Sequence, residues 1–214
     1  GNITTSYNTT GTRELNIKLT LPGEFSVYNS LCAIAVSEHF NVDEKLLLDA
    51  LYNTRVAGRV EPVKVSDDFI VMIDYAHNAM SLESLLSTLR EYNPNRIVCL
   101  FGCGGNRSKL RRFEMGEVSG RMADLTIITS DNPRDEDPAL IMQDIETGIK
   151  KTSGSYVMIE DRGEAVKYAI EHGEKGDIIV LAGKGHEDYQ EIKGVRYHQT
   201  DKELVQKAME DLAR

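Results

Sequence analysis

Leu15, Ile17, Leu19 and Leu21 alternate with polar residues, a period of two that predicts a half-buried strand stopping at the Pro22-Gly23 turn signal. Two helices are expected to follow. One covers 24–39, and the other starts after a cap at Asp43 and carries Leu46, Leu47, Ala50 and Leu51 on one face. Beyond Arg59 the pattern changes: apolar runs at 69–73, 97–101, 125–129, 156–159 and 178–182 have the length and composition of buried strands in a mostly parallel sheet. Helical segments separate them, as where Leu82, Leu85, Leu86 and Leu89 fall at i, i+3, i+4 and i+7. Capping boxes are expected at Asp161 with Glu164 and at Thr200 with Glu203, the second opening a last helix that runs to Ala213. Strands and helices in alternation predict an α/β fold with a Rossmann-like, doubly wound, mostly parallel sheet. The strand and two helices before it are too small to close a core easily, so that section is expected to be the end of a larger unit.

Composition narrows the partners. Thirty-four acidic against 25 basic residues leave a net charge of −9, which argues against a nucleic-acid partner, because phosphate backbones are gripped by concentrated Lys and Arg. No run approaches the roughly 20 consecutive apolar residues of a membrane span, and Gly1-Asn2-Ile3-Thr4-Thr5 lacks a basic, apolar leader pattern, so no membrane association is expected. Cys32, Cys99 and Cys103 are odd in number and without paired spacing, and Cys99 sits in an apolar run, as a free buried thiol would. These features fit a cytoplasmic protein with a small-molecule ligand.

Open α/β sheets bind ligands beyond the carboxyl ends of their strands. Four polar segments follow predicted strands: Asp74-Tyr75-Ala76-His77-Asn78, Gly102-Cys103-Gly104-Gly105-Asn106-Arg107, Ser130-Asp131-Asn132-Pro133-Arg134 and Gly183-Lys184-Gly185-His186-Glu187-Asp188. On one rim they would present both charge signs, a set suited to a zwitterion. Each segment also has an ordinary reading. Gly-rich stretches and Asp-Asn-Pro are common turn punctuation, a loop Arg is usually a solvated charge, and a lone His such as His77 or His186 more often hydrogen-bonds at the surface than catalyses. The sequence has no GxxxxGK[ST] phosphate loop and no second His or Cys at metal-ligand spacing. Lys184 is less ordinary, because its glycine neighbours let the backbone approach a ligand while the ammonium supplies charge; Glu187 could simply pair with it.

In order and spacing, Leu21-Pro22-Gly23-Glu24-Phe25, Gly58-Arg59-Val60-Glu61, Asp74-Tyr75-Ala76-His77, Phe101-Gly102-Cys103-Gly104-Gly105-Asn106-Arg107, Asp131-Asn132-Pro133-Arg134 and Ala182-Gly183-Lys184-Gly185-His186-Glu187-Asp188-Tyr189-Gln190 resemble the UDP-N-acetylmuramoyl-tripeptide synthetases of the Mur ligase family. The likeness covers essentially the whole chain. It implies an ATP-dependent amide ligase of three domains, in which residues 1–57 would be the end of the central ATP-binding domain and 58–214 the C-terminal, amino-acid-binding domain. ATP and Mg2+ are the implied cofactors. The phosphate-gripping loop and the magnesium ligands would lie upstream, so no catalytic or metal-ligating residue is expected in this chain, and the chain alone is expected to be inactive.

The implied reaction phosphorylates the terminal carboxylate of a UDP-N-acetylmuramoyl dipeptide; the amine of meso-diaminopimelate then attacks the acyl phosphate, in a monomeric cytoplasmic enzyme. Carried across by residue, the resemblance implies that Arg107, Asp131, Asn132, Arg134, Gly183 and Glu187 bind the amino acid and that Asn29, Arg59, Asp74 and His77 bind ATP. Arg134 carries the substrate assignment, because it can fork onto the far carboxylate of diaminopimelate, which L-lysine lacks; the lysine-adding branch of the family lacks this Arg.

There are departures from the family pattern. Ser26 stands for a common Asn, Asn106 for a usual Asp, and 108–113 differs from the usual basic run. Replacing Asn106 by Asp is expected to leave the amino-acid preference intact. Two rivals share parts of this reading: another member of the superfamily, such as a folylpolyglutamate synthase, and a non-catalytic nucleotide- or amino-acid-binding module. The Asp131–Arg134 segment argues against the first; the missing phosphate loop keeps the second open.

Overall fold

The computed structural model describes residues 4–9 and 14–213, and the chain divides into two compact units, Gly1–Val56 and Ala57–Arg214. In the first, β1 (Thr5–Asn8) pairs antiparallel with β2 (Asn16–Leu19), Tyr7 opposite Ile17. β2 is shorter than its pattern predicts, because Leu21 already belongs to the turn before α1 (Glu24–His39). The alternation nevertheless sets the face: Leu15, Ile17 and Leu19 are buried and form a small core with Ile34 of α1 and Leu47 of α2 (Glu44–Asn53). Asp43 caps α2 as expected, accepting from the Leu46 amide at 3.1 Å. Of the apolar face predicted for α2 only Leu47 is buried, and Leu46 is exposed.

The second unit is a six-stranded sheet with helices on both faces. Its elements are β3 (Glu61–Val63), β4 (Ile70–Ile73), α3 (Ala79–Arg90), β5 (Ile97–Phe101), α4 (Lys109–Met122), β6 (Leu125–Ile128), α5 (Pro138–Ile149), β7 (Tyr156–Met158), α6 (Arg162–Glu171), β8 (Ile178–Leu181), β9 (Tyr189–Ile192), β10 (Val195–His198) and α7 (Asp201–Leu212). The strand order is β3-β4-β8-β5-β6-β7, and every pair is parallel except β3 with β4. The α/β, mostly parallel architecture read from the alternation is therefore what forms. β8 returns between β4 and β5, so the order reverses there and a crevice opens at the carboxyl ends of these strands. Register lines those ends up: Ile73 and Leu100 both lie opposite Leu181, and Phe101 lies opposite Ile128.

The pleat sends alternate residues to opposite faces. Val71, Ile73, Val98, Leu100, Ile127, Ile179 and Leu181 meet Ala165, Val166 and Ala169 of α6 and Val205 and Ala208 of α7. Met72, Cys99, Phe101 and Val180 point the other way and are equally buried; α3 packs on β5, and α4 and α5 pack on β6. Both faces being covered explains why these strands read as unbroken apolar runs. The box at Thr200 closes in both directions with Glu203. At Asp161 only one half forms, its side chain accepting from the Glu164 amide, and a full box not predicted from the sequence joins Asn78 and Ser81 at the start of α3.

α6 and α7 are also pinned by charge. Arg162, the first residue of α6, is fully buried and forks onto Asp201, the first residue of α7, with Nε to Oδ1 at 2.6 Å and Nη2 to Oδ2 at 2.8 Å. The burial of both ions is tolerable because each supplies the other's counter-charge, so deleting one partner strands the other without water. Asp201→Ala is expected to destabilise the unit by about 3–5 kcal/mol, read from the midpoint of urea unfolding. A loss under about 1 kcal/mol, the range of exposed pairs, would mean that this pair does not join the helices.

Candidate functional site

The four polar segments emerge from β4, β5, β6 and β8 at the aligned carboxyl ends, and parts of all four line one cleft of about 300 Å3. Its walls bring together His77, Arg107, Asp131, Asn132, Arg134, Gly183 and Glu187, seven of the residues singled out from the sequence. Tyr75 and Arg111 join them and were not singled out. A second cleft, of about 630 Å3, lies along the same loop and shares Arg134. It is the larger, and it mixes the cationic Arg162 and Lys193 with the carboxylates of Asp135, Glu136, Asp137, Glu160 and Asp161, but Arg134 is the one residue it shares with those assigned to a ligand from the sequence. The smaller cleft is the one that gathers those residues, Arg107 and Arg134 together with Asp131 and Glu187.

The floor of that cleft is built on Lys184. Its side chain is 0% exposed, so the ammonium faces inward instead of reaching a ligand, which corrects the role expected for it. Nζ donates to the Tyr189 carbonyl at 2.5 Å and lies 3.5 Å from Asp131 Oδ1 and 3.8 Å from Glu187 Oε2. The sequence suggested a Lys184–Glu187 pair; the structure shows a buried cation shared between two loops. Gly183, at φ 104°, holds a backbone conformation that side chains disfavour and turns the chain inward there. Asn132 Nδ2 donates to Glu187 Oε2 at 2.9 Å, and the Tyr75 hydroxyl lies 3.4 Å from Glu187 Oε1. Asp131 Oδ1 makes no hydrogen bond among the described residues, and the Lys184 ammonium is the cation within 4 Å of it.

The cationic side is held by a second network. Arg134 Nη1 donates to the Gly105 carbonyl at 2.9 Å, and the Gly105 amide donates to the Asn132 carbonyl at 2.8 Å. A side chain at Gly105 would meet the Pro133 carbonyl at 1.9 Å, so this glycine is required for the loops after β5 and β6 to interlock. Behind them the buried Arg112 donates to Glu136 at 2.7 Å and to Asp144 at 2.9 Å. Its hydrogen bond holds the Glu136 carboxyl below the usual range. Glu136 Oε1 also accepts the Asn106 amide at 2.5 Å, next to Arg107, whose side chain is exposed. Arg112 had no signal in the sequence: Arg111 and Arg112 are adjacent, and only the phase of α4 decides which one is buried.

Of the four residues assigned to ATP, Arg59, Asp74 and His77 belong to the second unit and Asn29 to the first. Arg59 and His77 are exposed beside Tyr75, the Arg59 guanidinium 4.8 Å above its ring and the His77 ring 4.7 Å from it. Asp74 is buried, and both its oxygens are occupied by main-chain amides, Oδ2 by Val60 at 2.8 Å and Oδ1 by Ala76 at 2.7 Å. Burial pushes its carboxyl up, opposed by those hydrogen bonds and by the charge of Arg59. Asp74 thereby fastens Val60 at φ 45°, a strained value for a branched residue, and with it the turn that carries Arg59. Asn29 lies on an exposed side of α1 in the first unit, while Ser26 is buried and donates to the Pro22 carbonyl. Cys99 and Cys103 are buried free thiols that burial pushes up to about 12, so neither is a nucleophile near neutral pH. Cys32 is free and exposed.

Residues 58–185 match the family described as Mur ligase, glutamate ligase domain. The chain is 49% identical over 176 residues to the UDP-N-acetylmuramoyl-L-alanyl-D-glutamate--2,6-diaminopimelate ligase of Caldanaerobacter subterraneus subsp. tengcongensis, covering 82% of this chain and 36% of that protein. It is 44% identical over 180 residues to the ligase of the same name from Alkaliphilus metalliredigens, covering 84% and 36%. A solved structure of a ligase of that name matches at TM-score 0.72 and 34% identity, covering 98% of this chain and 43% of that one. The chain thus spans about two-fifths of the length of these relatives.

One contact bears on the departure at Asn106. Its Nδ2 donates to Asp135 Oδ2 at 2.6 Å, so an Asp there would set two carboxylates against each other. Asn106→Asp is expected to cost roughly 0.5–1 kcal/mol at low salt, less at high salt, and Asp135→Asn in the same chain should restore most of it. Urea unfolding of the two single variants and the double variant measures the coupling. Strict additivity would show that the contact contributes nothing.

Proposed function

The chain belongs to the Mur ligase family, and on that premise we propose that it is the amino-acid-receiving part of an ATP-dependent ligase joining meso-diaminopimelate to UDP-N-acetylmuramoyl-L-alanyl-D-glutamate. The observation that carries this reading is the pairing of charge signs in the lining of the 300 Å3 cleft, where Arg107 and Arg134 occur with Asp131 and Glu187. Diaminopimelate is an amino acid at both ends. Its carboxylates suit the guanidinium groups and its ammonium groups suit the carboxylates, with Asn132 bridging between them. L-lysine would leave the far guanidinium without a partner.

Amide formation from a carboxylate needs a leaving group and a positioned amine. ATP, when bound, supplies the phosphoryl group that turns the dipeptide carboxylate into an acyl phosphate. The contribution of this chain is to bind the amino acid and to aim one amine at that carbonyl; proximity and charge neutralisation supply the acceleration. Arg59 and His77, exposed beside the cleft, would contact the nucleotide, with Asp74 holding the turn beneath Arg59. Among the described residues no group of three or more His, Cys, Asp and Glu is arranged to hold a metal. Among the same residues no helix is long and apolar enough to cross a membrane, and a UDP-linked substrate suits a reaction in the cytoplasm.

Calorimetric titration of the chain should give saturable heat with meso-diaminopimelate and binding of L-lysine about ten- to a hundredfold weaker, the equivalent of one charged hydrogen bond. Arg134→Ala should abolish the difference. Equal affinity for the two amino acids in the unaltered chain would sink the substrate assignment.

A further inference from the structure

The hairpin of β9 and β10 was not foreseen from the sequence, and residues 190–193 of it touch the loop that carries Arg134. Its turn, Lys193-Gly194, has both residues at positive φ, 49° and 76°, which is the tight two-residue geometry that matches strand twist. The inner strand lies along 131–134 in register. Tyr189 gives its carbonyl to Lys184; Gln190 Nε2 donates to the Asp131 carbonyl at 2.9 Å; the Glu191 amide donates to Asn132 Oδ1 at 2.8 Å. Arg134 then donates its amide to the Glu191 carbonyl at 2.9 Å and accepts the Lys193 amide at 2.8 Å, a parallel bridge opposite Ile192.

That bridge matters because Arg134 sits at φ 52°, a left-handed conformation that side chains other than Gly, Asn and Asp seldom adopt. Two main-chain hydrogen bonds from the hairpin keep it there. The same hairpin residue reaches the guanidinium, with Glu191 Oε2 3.4 Å from Arg134 Nε while Gly105 occupies Nη1. Among the described residues nothing accepts from Nη2, so the two contacts fix the plane of the group and leave an edge for a ligand carboxylate.

We propose that Glu191 is a positioning residue for amino-acid selectivity: through the β9–β10 hairpin it holds Arg134, in backbone and in guanidinium plane, ready for the far carboxylate of the substrate. This rests on the reading of Arg134 as the group that takes that carboxylate. Glu191 touches no substrate in this account; it acts through Arg134.

The test uses the 214-residue chain with Glu191→Ala and Glu191→Gln, the latter keeping an oxygen acceptor. Two quantities are read: solvent exchange of the Arg134 Nε–Hε proton by 15N spectroscopy without ligand, and the affinities for meso-diaminopimelate and L-lysine. Glu191→Ala should speed the exchange and weaken meso-diaminopimelate by about tenfold, with L-lysine unchanged; Glu191→Gln should stay within about threefold of the unaltered chain in both. Unchanged exchange in Glu191→Ala would overturn the proposal whether or not any amino acid binds. So would tighter binding of meso-diaminopimelate, which would make Glu191 a competitor for Arg134. Faster exchange in a chain that binds neither amino acid would uphold the positioning of Arg134 and count instead against the amino-acid reading.

Discussion

An ammonium group with no exposure to water is unfavourable unless oxygens surround it, and the second unit supplies three for Lys184: the Tyr189 carbonyl and the carboxylates of Asp131 and Glu187. These oxygens come from the loop after β6, the loop after β8 and the start of the hairpin, so satisfying one charge joins three pieces of chain. The carboxylates are thereby fixed at the rim before any ligand arrives. Coulomb attraction in this partly buried setting is only lightly screened, so the arrangement is not expected to depend on salt as a surface pair would. Glu187 is steadied again by Asn132, and Asn132 by Glu191, which carries the order across to Arg134.

The division of labour between the two sides of the cleft follows from the chemistry of the groups. Arginine keeps its charge at any physiological pH and presents a planar fork, so it needs orientation more than it needs charge control. The fold orients Arg134 through Gly105, the hairpin and Glu191, and braces the neighbouring loop through Arg112 and Glu136. The carboxylates need a counter-charge that does not compete for the ligand, and a lysine buried behind them provides it. On the proposed function, a site prepared in this way spends little of its binding energy on rearrangement, which favours an amine held for attack.

The architecture was largely legible because burial on both faces makes parallel strands into apolar runs, and five such runs mark β4 to β8. β2 was legible by alternation and β1, β3, β9 and β10 were not: none of the four contains a fully buried residue, and the exposed β10 has no buried face to impose a pattern. The cleft was legible because chemistry-bearing segments followed the predicted strands, and the topology aligned their ends. What escaped were the residues behind it. Lys184 stood out between its glycines but as a charge for a ligand, and Arg112 did not stand out; only packing turns both inward. Glu191 acquires its position from a hairpin whose turn, Lys193-Gly194, lacks the usual Asn or Asp before the glycine. The likeness to the Mur ligases named the rim residues but was silent about these supports. Asp74 shows the same limit: its motif suggested a ligand, while its two oxygens hold main-chain amides.

The most direct test is a crystal structure of the chain with meso-diaminopimelate. The account predicts the ligand in the cleft between the loops after β5, β6 and β8, one carboxylate on Arg134, an ammonium against Glu187, and Lys184 still buried beneath in its present contacts. A ligand seated elsewhere, or a cleft in which Lys184 has swung out to meet it, would contradict the claim that this site is built in advance around a buried cation.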